Sequence, residues 1–338
     1  MRTVILRVHE FLSKNEIQPY EINTARSWFP LFASKELAAI AAALMSDGHL
    51  AFQLRNGKPK MCKIVLYSDD RLECAWFLRL IYARFGVMGR TVRYKPATGF
   101  SDAYSYKAVI HSAPLAKLLA SIGIPYGDKT KTAYLVPGWV VNGTHKIKAS
   151  FLKILFNFDG SLSLKKQRHT AVALNFVTNK HMDFIKSGEA FLEQLAAILS
   201  EFGIKSGKIH VRHCKKDKFT LMLFVTNGRS VINFYKHIGF LNKKKKDKLR
   251  LVVLRLRTHR RIRYGSHILQ ELKLKTGTDR EAVEIVNNLS KMEYTYRQFE
   301  HMRRGESGIP ADMLNGALKA LGRKSIDPFD FSGLKEAY

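Results

Sequence analysis

The chain has 338 residues, and its 57 Lys and Arg outnumber its 28 Asp and Glu, which leaves a formal net charge of +29. An apolar content of 46% excludes a disordered chain, and no run of 18 apolar residues offers a membrane span. Positive charge on this scale favours a polyanionic partner, most often nucleic acid. With three scattered cysteines, we expect an intracellular protein, cytoplasmic or organellar, that is not secreted and binds no membrane.

Residues 34–126 read as one ordered run of elements. Ser34 can cap a helix that ends at Asp47-Gly48, and the Asn56-Gly57 pair predicts a turn between two strands. In chain order we expect that helix, strands over 49–55 and 60–68, a helix over 69–86, strands over 90–96 and 103–112, and a helix over 113–123.

Residues 146–245 repeat the same order. A helix ends at Asp159-Gly160, 112 residues after Asp47-Gly48, and strands, a helix, strands and a helix follow. A repeat of this length predicts a duplicated α+β fold, in which two αββαββα repeats are related by a pseudo-twofold axis.

The remaining segments flank these repeats. We expect an N-terminal extension (1–33), the first repeat (34–126), a linker (127–145), the second repeat (146–245), a basic connector (246–275) and a small C-terminal helical domain (276–338). The tail stretch "TYRQFEHMRRGESGIPADMLNGALKALG" is compatible with a helix-turn-helix that reads DNA and equally with a subdomain that only packs.

Two Asp-Gly motifs, "IAAALMSDG" (40–48) and "LKILFNFDG" (152–160), end the first helix of each repeat. Together with "FGVMGRTVRY", "LLASIGIPYGDKT", "VPGWV" and "FYKHIGFLNKKKKDKL", they resemble the LAGLIDADG homing endonucleases of the two-motif, single-chain type. The resemblance covers roughly residues 30 to 250, and it implies that the two repeats form a DNA-binding saddle.

The resemblance implies that the two motif helices pack side by side, with small residues such as Ala39, Ala42 and Ala43 in the contact. Both aspartates would then lie over the scissile phosphates. It makes Asp47 and Asp159, with Gly48 and Gly160, the expected site of Mg²⁺ or another divalent cation such as Mn²⁺.

The resemblance also implies a basic or polar group beside each metal. After the first motif we expect it at the end of the second strand, near Tyr67 and Ser68, with Lys63 close by. In the second repeat Lys180 is the expected group, with Lys165 as the other option. Lys63 and Lys180 therefore join the two aspartates as candidate catalytic residues.

Strand alternation predicts which polar side chains face DNA, by reading bases or contacting phosphates. "HVRHC" (210–214) offers poor chelating geometry, and we expect surface residues there rather than a zinc site. The candidate DNA-binding residues are Gln53, Arg55, Lys63, Arg93, Lys95, Lys107, Ser161, Ser163, Lys165, Asn175, His210 and Arg212.

The expected function is hydrolysis of both strands of a long double-stranded DNA target by a monomeric, divalent-metal-dependent endonuclease. The chain begins with Met1 and has no His-Asn ending, so we expect a free-standing or intron-encoded enzyme rather than a self-splicing one. The alternative is a catalytically inactive protein on the same scaffold, either a DNA-binding regulator or an RNA maturase.

Overall fold

A computed structural model describes residues 3–15, 22–23, 25–55, 58–95, 104–164, 172–258, 261–262 and 264–327. These residues form two compact units. The first comprises Met1–Leu162 and Ala173–Lys246, and the second comprises Ser163–Val172 and Asp247–Tyr338. The predicted Asn56-Gly57 turn lies outside the described residues.

The first unit begins with a small sheet and then the first run of elements. Strand β1 (Val4–Leu6) pairs antiparallel with β2 (Leu31–Phe32), and helix α1 (Val8–Lys14) and a 3-10 turn (Arg26–Trp28) lie between them in the chain. The next elements are α2 (Lys35–Met45), β3 (Gly48–Arg55), β4 (Lys58–Ser68), α3 (Arg71–Phe85), β5 (Arg90–Tyr94), β6 (Ser105–His111) and α4 (Ala113–Ser121).

Local signals account for the ends of these helices. The Ser34 hydroxyl accepts a hydrogen bond from the Leu37 N–H at the start of α2, as the cap prediction requires. Helix α3 ends at Gly86, whose φ of 67° is the left-handed conformation that glycine adopts without strain. The four strands form an antiparallel sheet in the order β3-β4-β6-β5.

The second run follows a connecting segment that holds a 3-10 turn (Lys129–Lys131) and the short helix α5 (Gly138–Val141). Its sheet has the order β7-β8-β10-β9. The α+β class is therefore confirmed. The elements of this run are α6 (His145–Asp159), β7 (Gly160–Leu164), β8 (Val172–His181), a 3-10 turn (Met182–Phe184), α7 (Ile185–Ser200), β9 (His210–Lys215), β10 (Lys218–Val225) and α8 (Gly228–His237).

Helices α2 and α6 pack against each other. Every residue of α2 from Leu37 to Met45 is buried, and the Ser150 hydroxyl of α6 donates a hydrogen bond of 2.7 Å to the Lys35 carbonyl at the start of α2. Phe156 of α6 packs in the core of its own repeat, against Phe176 and Phe234. The bulk of this side chain therefore does not prevent the two motif helices from approaching each other.

The second unit is a small helical bundle. Helix α9 (Lys243–Thr258) belongs to this unit from Asp247 onward. Capping boxes at Thr278 and Thr295 start two of the helices. The remaining elements are β11 (Arg261–Ile262), α10 (Ser266–Thr276), α11 (Asp279–Ser290), α12 (Tyr296–Arg303), β12 (Ile309–Pro310) and α13 (Ala311–Ala320), with β11 antiparallel to β12.

Helix α13 lies in the core of the second unit. Met313, Leu314, Ala317 and Leu318 are buried there, and Lys319 is its single exposed residue. Most of α13 is therefore engaged in packing within its own unit, and a DNA-reading role for the tail stays a prediction. Within the described part of the chain, no helix has both the length and the apolar character needed to cross a bilayer.

Candidate active site

The site lies where α2 and α6 end. Asp47 follows the last turn of α2, and Asp159 is the last residue of α6. Burial, and then the negative charge of Asp47, raise the pKa of Asp159 to about 7, against the opposing effect of Lys129 and Lys245. Burial also raises the pKa of Asp47, against the same two lysines. The two carboxylates thus share one electrostatic environment.

Both carboxylates remain accessible in part. Asp47 is exposed and Asp159 is half-buried, although both are surrounded closely enough by protein for desolvation to raise their pKa values. Carboxylates with these properties bind a cation readily, because the cation removes the repulsion between them.

Lys129 contacts the C-terminal end of α2. Its ammonium group donates hydrogen bonds to the carbonyl oxygens of Leu44 (3.3 Å), Met45 (3.2 Å) and Ser46. The last carbonyls of a helix have no partner within the helix and carry partial negative charge, so a lysine here stabilises the end of α2 beside Asp47. Burial lowers the pKa of Lys129, against the effect of Asp159 and Asp47.

Lys245 contacts the C-terminal end of α6 in the same way. Its ammonium group donates to the carbonyl oxygens of Asn157 (2.6 Å) and Gly160 (2.7 Å). Burial lowers its pKa, against the effect of Glu73, Asp47 and Asp159. Each motif helix therefore has its own lysine at its end, and both lysines act on both aspartates.

The sequence prediction missed this pair, although a signal for it exists. Lys129 stands six residues after Ile122-Gly123, and Lys245 stands six residues after Ile238-Gly239. Both glycines have positive φ, 97° and 66°, and each follows the last helix of its repeat. The quoted stretches "LLASIGIPYGDKT" and "FYKHIGFLNKKKKDKL" thus contain the two lysines at matching positions.

A buried carboxylate organises the Lys245 side. Glu73 of α3 accepts hydrogen bonds from the Ser68 hydroxyl (2.5 Å) and from the side-chain amides of Asn157 (2.8 Å) and Asn242 (3.1 Å). The Asn157 side-chain oxygen in turn accepts from the N–H groups of Leu241 and Asn242. Asn157 therefore ties the end of α6 both to α3 and to the loop before Lys245.

Lys63 does not join this cluster. The Tyr67 N–H donates to the Asp47 carbonyl (3.2 Å), and Lys63 lies four residues back along β4, about 13 Å at the usual strand rise. Lys63 therefore lies away from the end of α2, because the strand leads away from it, and a catalytic role for Lys63 stays a prediction.

Lys180 is also displaced from its expected position. It is fully buried, and its ammonium group donates to the carbonyls of Lys129 (2.9 Å) and Thr132 (2.8 Å) rather than contacting either aspartate. The register of β8 and β10 places it on the core face, beside Phe219. Lys129 and Lys245 occupy the places at the helix ends that Lys63 and Lys180 were expected to fill. Lys165 lies outside the described residues.

His49 is a further neighbour of the site that the prediction omitted. It follows Gly48 on β3 and pairs with Val65, two residues from Tyr67. Burial, and then the positive charge of Lys129, lower its pKa from 6.5, so the imidazole is neutral at pH 7.

Gly48 and Gly160 allow each strand to start directly against the preceding helix. A Cβ atom on Gly48 would lie 2.4 Å from the Leu44 Cα atom, and one on Gly160 would lie 2.4 Å from the Phe156 carbonyl oxygen. The Gly160 carbonyl is engaged by Lys245, so the expected role of Gly160 as a cation ligand would require this lysine to move.

The open face of the second sheet carries several of the predicted DNA-binding residues. In the strand pairing, Asn175 lies opposite Phe224, His210 opposite Met222, and Arg212 opposite Thr220. These residues share one face of the sheet, and the buried Phe176 and Leu223 lie on the other face. Ser161 and Ser163 are exposed on β7, and the Ser161 hydroxyl donates to the Asn175 side-chain oxygen.

The first sheet divides its predicted residues between two faces. Lys63 and Lys107 share the open face, whereas Arg93 pairs with Tyr106 on the face of the buried Leu66. The Arg93 guanidinium lies 3.6 Å from the centre of the Tyr104 ring. In this register Arg93 thus lies on the face opposite Lys63 and Lys107, and its contact with DNA stays a prediction. Gln53 and Arg55 lie on β3 with side chains outside the described part, and Lys95 follows β5.

The donor set fits a hard divalent cation. Asp47 and Asp159 offer carboxylate oxygens, which Mg²⁺ and Mn²⁺ prefer. Across the described residues, no group of three or more His, Cys, Asp or Glu side chains could hold a metal by itself.

The second repeat matches a known domain family. Residues 146–239 match the sequence model of the LAGLIDADG-like domain. The curated relatives include the tRNA-splicing ligase RtcB of Methanopyrus kandleri (27% identical over 60% of this chain), RtcB of Pyrococcus furiosus (29% over 63%) and the DNA-directed RNA polymerase subunit Rpo1N of Methanocaldococcus jannaschii (24% over 63%). The chain spans only 20%, 22% and 16% of these proteins.

Solved structures with similar folds include two homing endonucleases. I-DmoI in complex with DNA and Mn has 15% identity and a TM-score of 0.42, covering 61% of this chain and 97% of that one. I-WcaI bound to its DNA recognition sequence has 12% identity and a TM-score of 0.43, covering 72% and 97%. Full-length DUF199/WhiA from Thermatoga maritima has 14% identity and a TM-score of 0.40, covering 94% and 95%.

The domain match covers the second repeat. This repeat contains Asp159 and the second Asp-Gly motif (152–160), which is one of the two motifs that carry the sequence resemblance. Residues 146–239 of the chain are therefore a LAGLIDADG-like domain.

Proposed function

We propose that the protein is a monomeric, site-specific endonuclease that hydrolyses both strands of a long double-stranded DNA target with a divalent cation. The observation that carries this proposal is the pair of aspartates at the ends of two packed helices, each beside a lysine that contacts its helix end. One chain supplies both halves of this arrangement, so no second copy is needed.

The chemistry follows from the charges at the site. A divalent cation held by Asp47 and Asp159 would supply Lewis-acid stabilisation of the oxygens in an in-line phosphodiester displacement. The two aspartates would hold the cation and would be ionised in that complex, because a bound cation would lower their raised pKa values.

Lys129 and Lys245 act on the phosphate. Their ammonium groups lie within electrostatic range of both carboxylates, and they would offset the negative charge that develops on the phosphate oxygens. The neutral imidazole of His49, beside the Asp47 site, would accept a hydrogen bond from a water molecule. These roles require the DNA to lie across the helix ends.

Two open sheet faces support DNA as the partner. Asn175, His210 and Arg212 in the second sheet, and Lys63 and Lys107 in the first, offer donors and acceptors suited to base edges and phosphates. The net charge of +29 adds attraction that does not depend on base sequence.

The curated relatives support a separable module. Their names are tRNA-splicing ligase, DNA-directed RNA polymerase subunit and, in Methanocaldococcus jannaschii, replication factor C small subunit. The matched stretches are of similar length, 210, 226 and 229 residues, and they make up only 20%, 16% and 12% of the three proteins. A stretch shared by proteins with such different names argues against assigning any one of those activities to this chain.

The test is cleavage of a randomised double-stranded DNA library with Mg²⁺ or Mn²⁺, by the wild type and by Asp47→Asn and Asp159→Asn. We expect defined double-strand cuts that disappear in both variants. Glu36→Gln, at the opposite end of α2, is the matched control and should cut normally.

The other outcomes identify the alternatives. Tight, salt-sensitive binding of DNA by all variants without any cut would indicate a regulator that retains the scaffold for recognition. A preference for folded RNA that survives both Asp→Asn changes would indicate an RNA maturase.

A further inference from the structure

We infer that Lys180 is a positioning residue that holds the backbone of Lys129 in place and so orients the lysine beside Asp47. The inference rests on the proposed function for its effect on cleavage, but the contacts that carry it are independent of any activity.

The Lys180 ammonium group is well partnered. It donates to the main-chain carbonyls of Lys129 and Thr132, at 2.9 and 2.8 Å, and the nitrogen lies 3.7 Å from the centre of the Tyr134 ring. A buried ammonium group loses the hydration free energy of its charge, so its burial is costly unless its donors find new partners. Carbonyl oxygens and an aromatic face compensate for part of that loss.

Lys180 contacts the residue that it positions. The Lys129 carbonyl accepts from Lys180, while the Lys129 side chain donates to the end of α2. The contacts therefore run from β8 of the second repeat, through the linker, to the helix end before Asp47. The rest of this linker turn is held locally, where the Asp128 carboxylate accepts from the Thr130 N–H and hydroxyl.

The absence of a side chain at Gly188 leaves room for the aliphatic part of Lys180. Gly188 of α7 lies against it, and a Cβ atom at that position would be 2.9 Å from the Lys180 Cγ atom and 2.8 Å from a Leu221 methyl group. The Tyr134 ring that receives the ammonium group packs edge-on against Phe191 of the same helix, with centroids 5.1 Å apart. The side chain is thus enclosed along its length.

The other half of the site is supported differently. Lys245 follows a loop that is held by Asn157, whose amide is bound by the Glu73 carboxylate. A buried cation therefore supports one site lysine and a buried anion supports the other. Loss of Lys180 should affect the Lys129 half and leave the Glu73 network intact.

Three variants of the full chain test the inference. Lys180→Met removes the donors and keeps most of the side-chain volume, Lys180→Arg keeps donors, and Lys186→Met is the matched control because Lys186 is almost fully exposed on α7. We would measure kcat and KM for Mg²⁺-dependent cleavage of a selected target, DNA affinity, and hydrogen exchange by mass spectrometry.

For Lys180→Met we expect kcat to fall about 10- to 100-fold, the scale expected for a misplaced catalytic group, while KM and DNA affinity change less than about twofold. Exchange should rise in residues 129–134 and stay unchanged in α6 and α8. Lys180→Arg should recover a large part of kcat. Unchanged kcat for Lys180→Met, or a loss that merely follows the folded fraction, would overturn the inference.

A fourth variant, Gly188→Ala, displaces the Lys180 side chain without removing it. Gly188→Ala should push its side chain and reproduce faster exchange in residues 129–134. If the wild type cuts no DNA, the proposed nuclease function fails, but the exchange data still decide the positioning role. Unchanged exchange of residues 129–134 in Lys180→Met would then refute it.

Discussion

A carboxylate at the C-terminal end of a helix is opposed by the partial negative charge of the last carbonyls, and Asp47 and Asp159 both occupy that position. Lys129 and Lys245 offset this effect by donating directly to those carbonyls. The pKa values of both aspartates remain raised, because desolvation outweighs the two lysines. The charge of Asp47 adds to this effect at Asp159, and the charges of Glu73 and Asp69 add to it at Asp47. A site in this state gains stability when a cation binds.

The pKa of Asp159 predicts a pH dependence of stability. It is about 7 in the folded protein and near 3.8 in the unfolded chain, so between these values the folded state binds more protons. The free energy of unfolding should therefore decrease through this group as pH rises from about 4 to about 7. Without metal at pH 8, Asp159→Asn should be more stable than the wild type by about 1–3 kcal/mol.

Thermal melts of the two proteins at pH 4 and pH 8 in chelator check this expectation. The stabilisation by Asp159→Asn should be near zero at pH 4 and several degrees at pH 8. An equal difference at both pH values would contradict the assigned pKa.

The two site lysines should be needed for cleavage rather than for DNA binding. Lys129→Met and Lys245→Met each remove an ammonium group near the phosphate position, and we expect kcat to fall on the order of 100-fold with DNA affinity nearly unchanged. The exposed neighbours Lys131 and Lys244 supply matched Met controls. Parallel loss of binding and cleavage would instead assign both lysines to phosphate anchoring.

Among the elements, the junction between motif helix and strand is the most constrained. Strand β3 begins within three residues of the end of α2, and β7 begins immediately after α6. These tight junctions place each aspartate at the edge of a sheet. They also bring the first strand residue against the last helical turn, which leaves no room for a side chain at Gly48 or Gly160.

Alanine at either junction glycine should destabilise the protein. The added methyl group would overlap backbone atoms at 2.4 Å, and we expect a loss of about 1–3 kcal/mol in the free energy of unfolding. Gly138→Ala is the control, because a methyl group there has no neighbour within 4 Å. Urea denaturation of all three variants checks the difference, and equal stabilities would show that the junctions relax freely.

For the whole molecule, charge is divided unevenly along the chain. Residues 264–338 contain eleven Lys and Arg and eleven Asp and Glu, so the entire excess of +29 lies before them. Residues 1–263, which include both four-stranded sheets and α9, therefore provide the long-range attraction to a polyanion. Residues 264–338 add no net charge to it.

This division predicts where phosphate contacts lie. Lys107→Ala with Arg212→Ala, one from each open sheet face, should weaken DNA binding and reduce the slope of log affinity against log salt by about 2. Arg280→Ala with Arg297→Ala, exposed in the C-terminal bundle, should leave the slope unchanged. Binding titrations between roughly 50 and 300 mM salt measure both slopes. A reduced salt slope for the Arg280→Ala, Arg297→Ala variant would instead show that the C-terminal bundle contacts DNA phosphates.

Local sequence patterns were sufficient to predict the helices and strands and the places of the two aspartates at helix ends. Helical spacing, the Ser34 cap, Gly86 and the two Asp-Gly pairs are short-range signals, and each corresponds to an element end in the structure. Arg93 shows the limit of such signals. Its face depends on the pairing of β5 with β6, and a register shift of one residue reverses the face.

The sequence by itself determined the α+β class, the duplicated order and the positions of Asp47 and Asp159, because these follow from periodicity and from adjacent residues. Only the tertiary structure decided which lysines accompany them. Lys129 lies 82 residues after Asp47, and Lys245 lies 86 residues after Asp159. Both reach the helix ends only when the segments after each repeat fold back, and Lys180 became a buried support because strand register turned it toward the core.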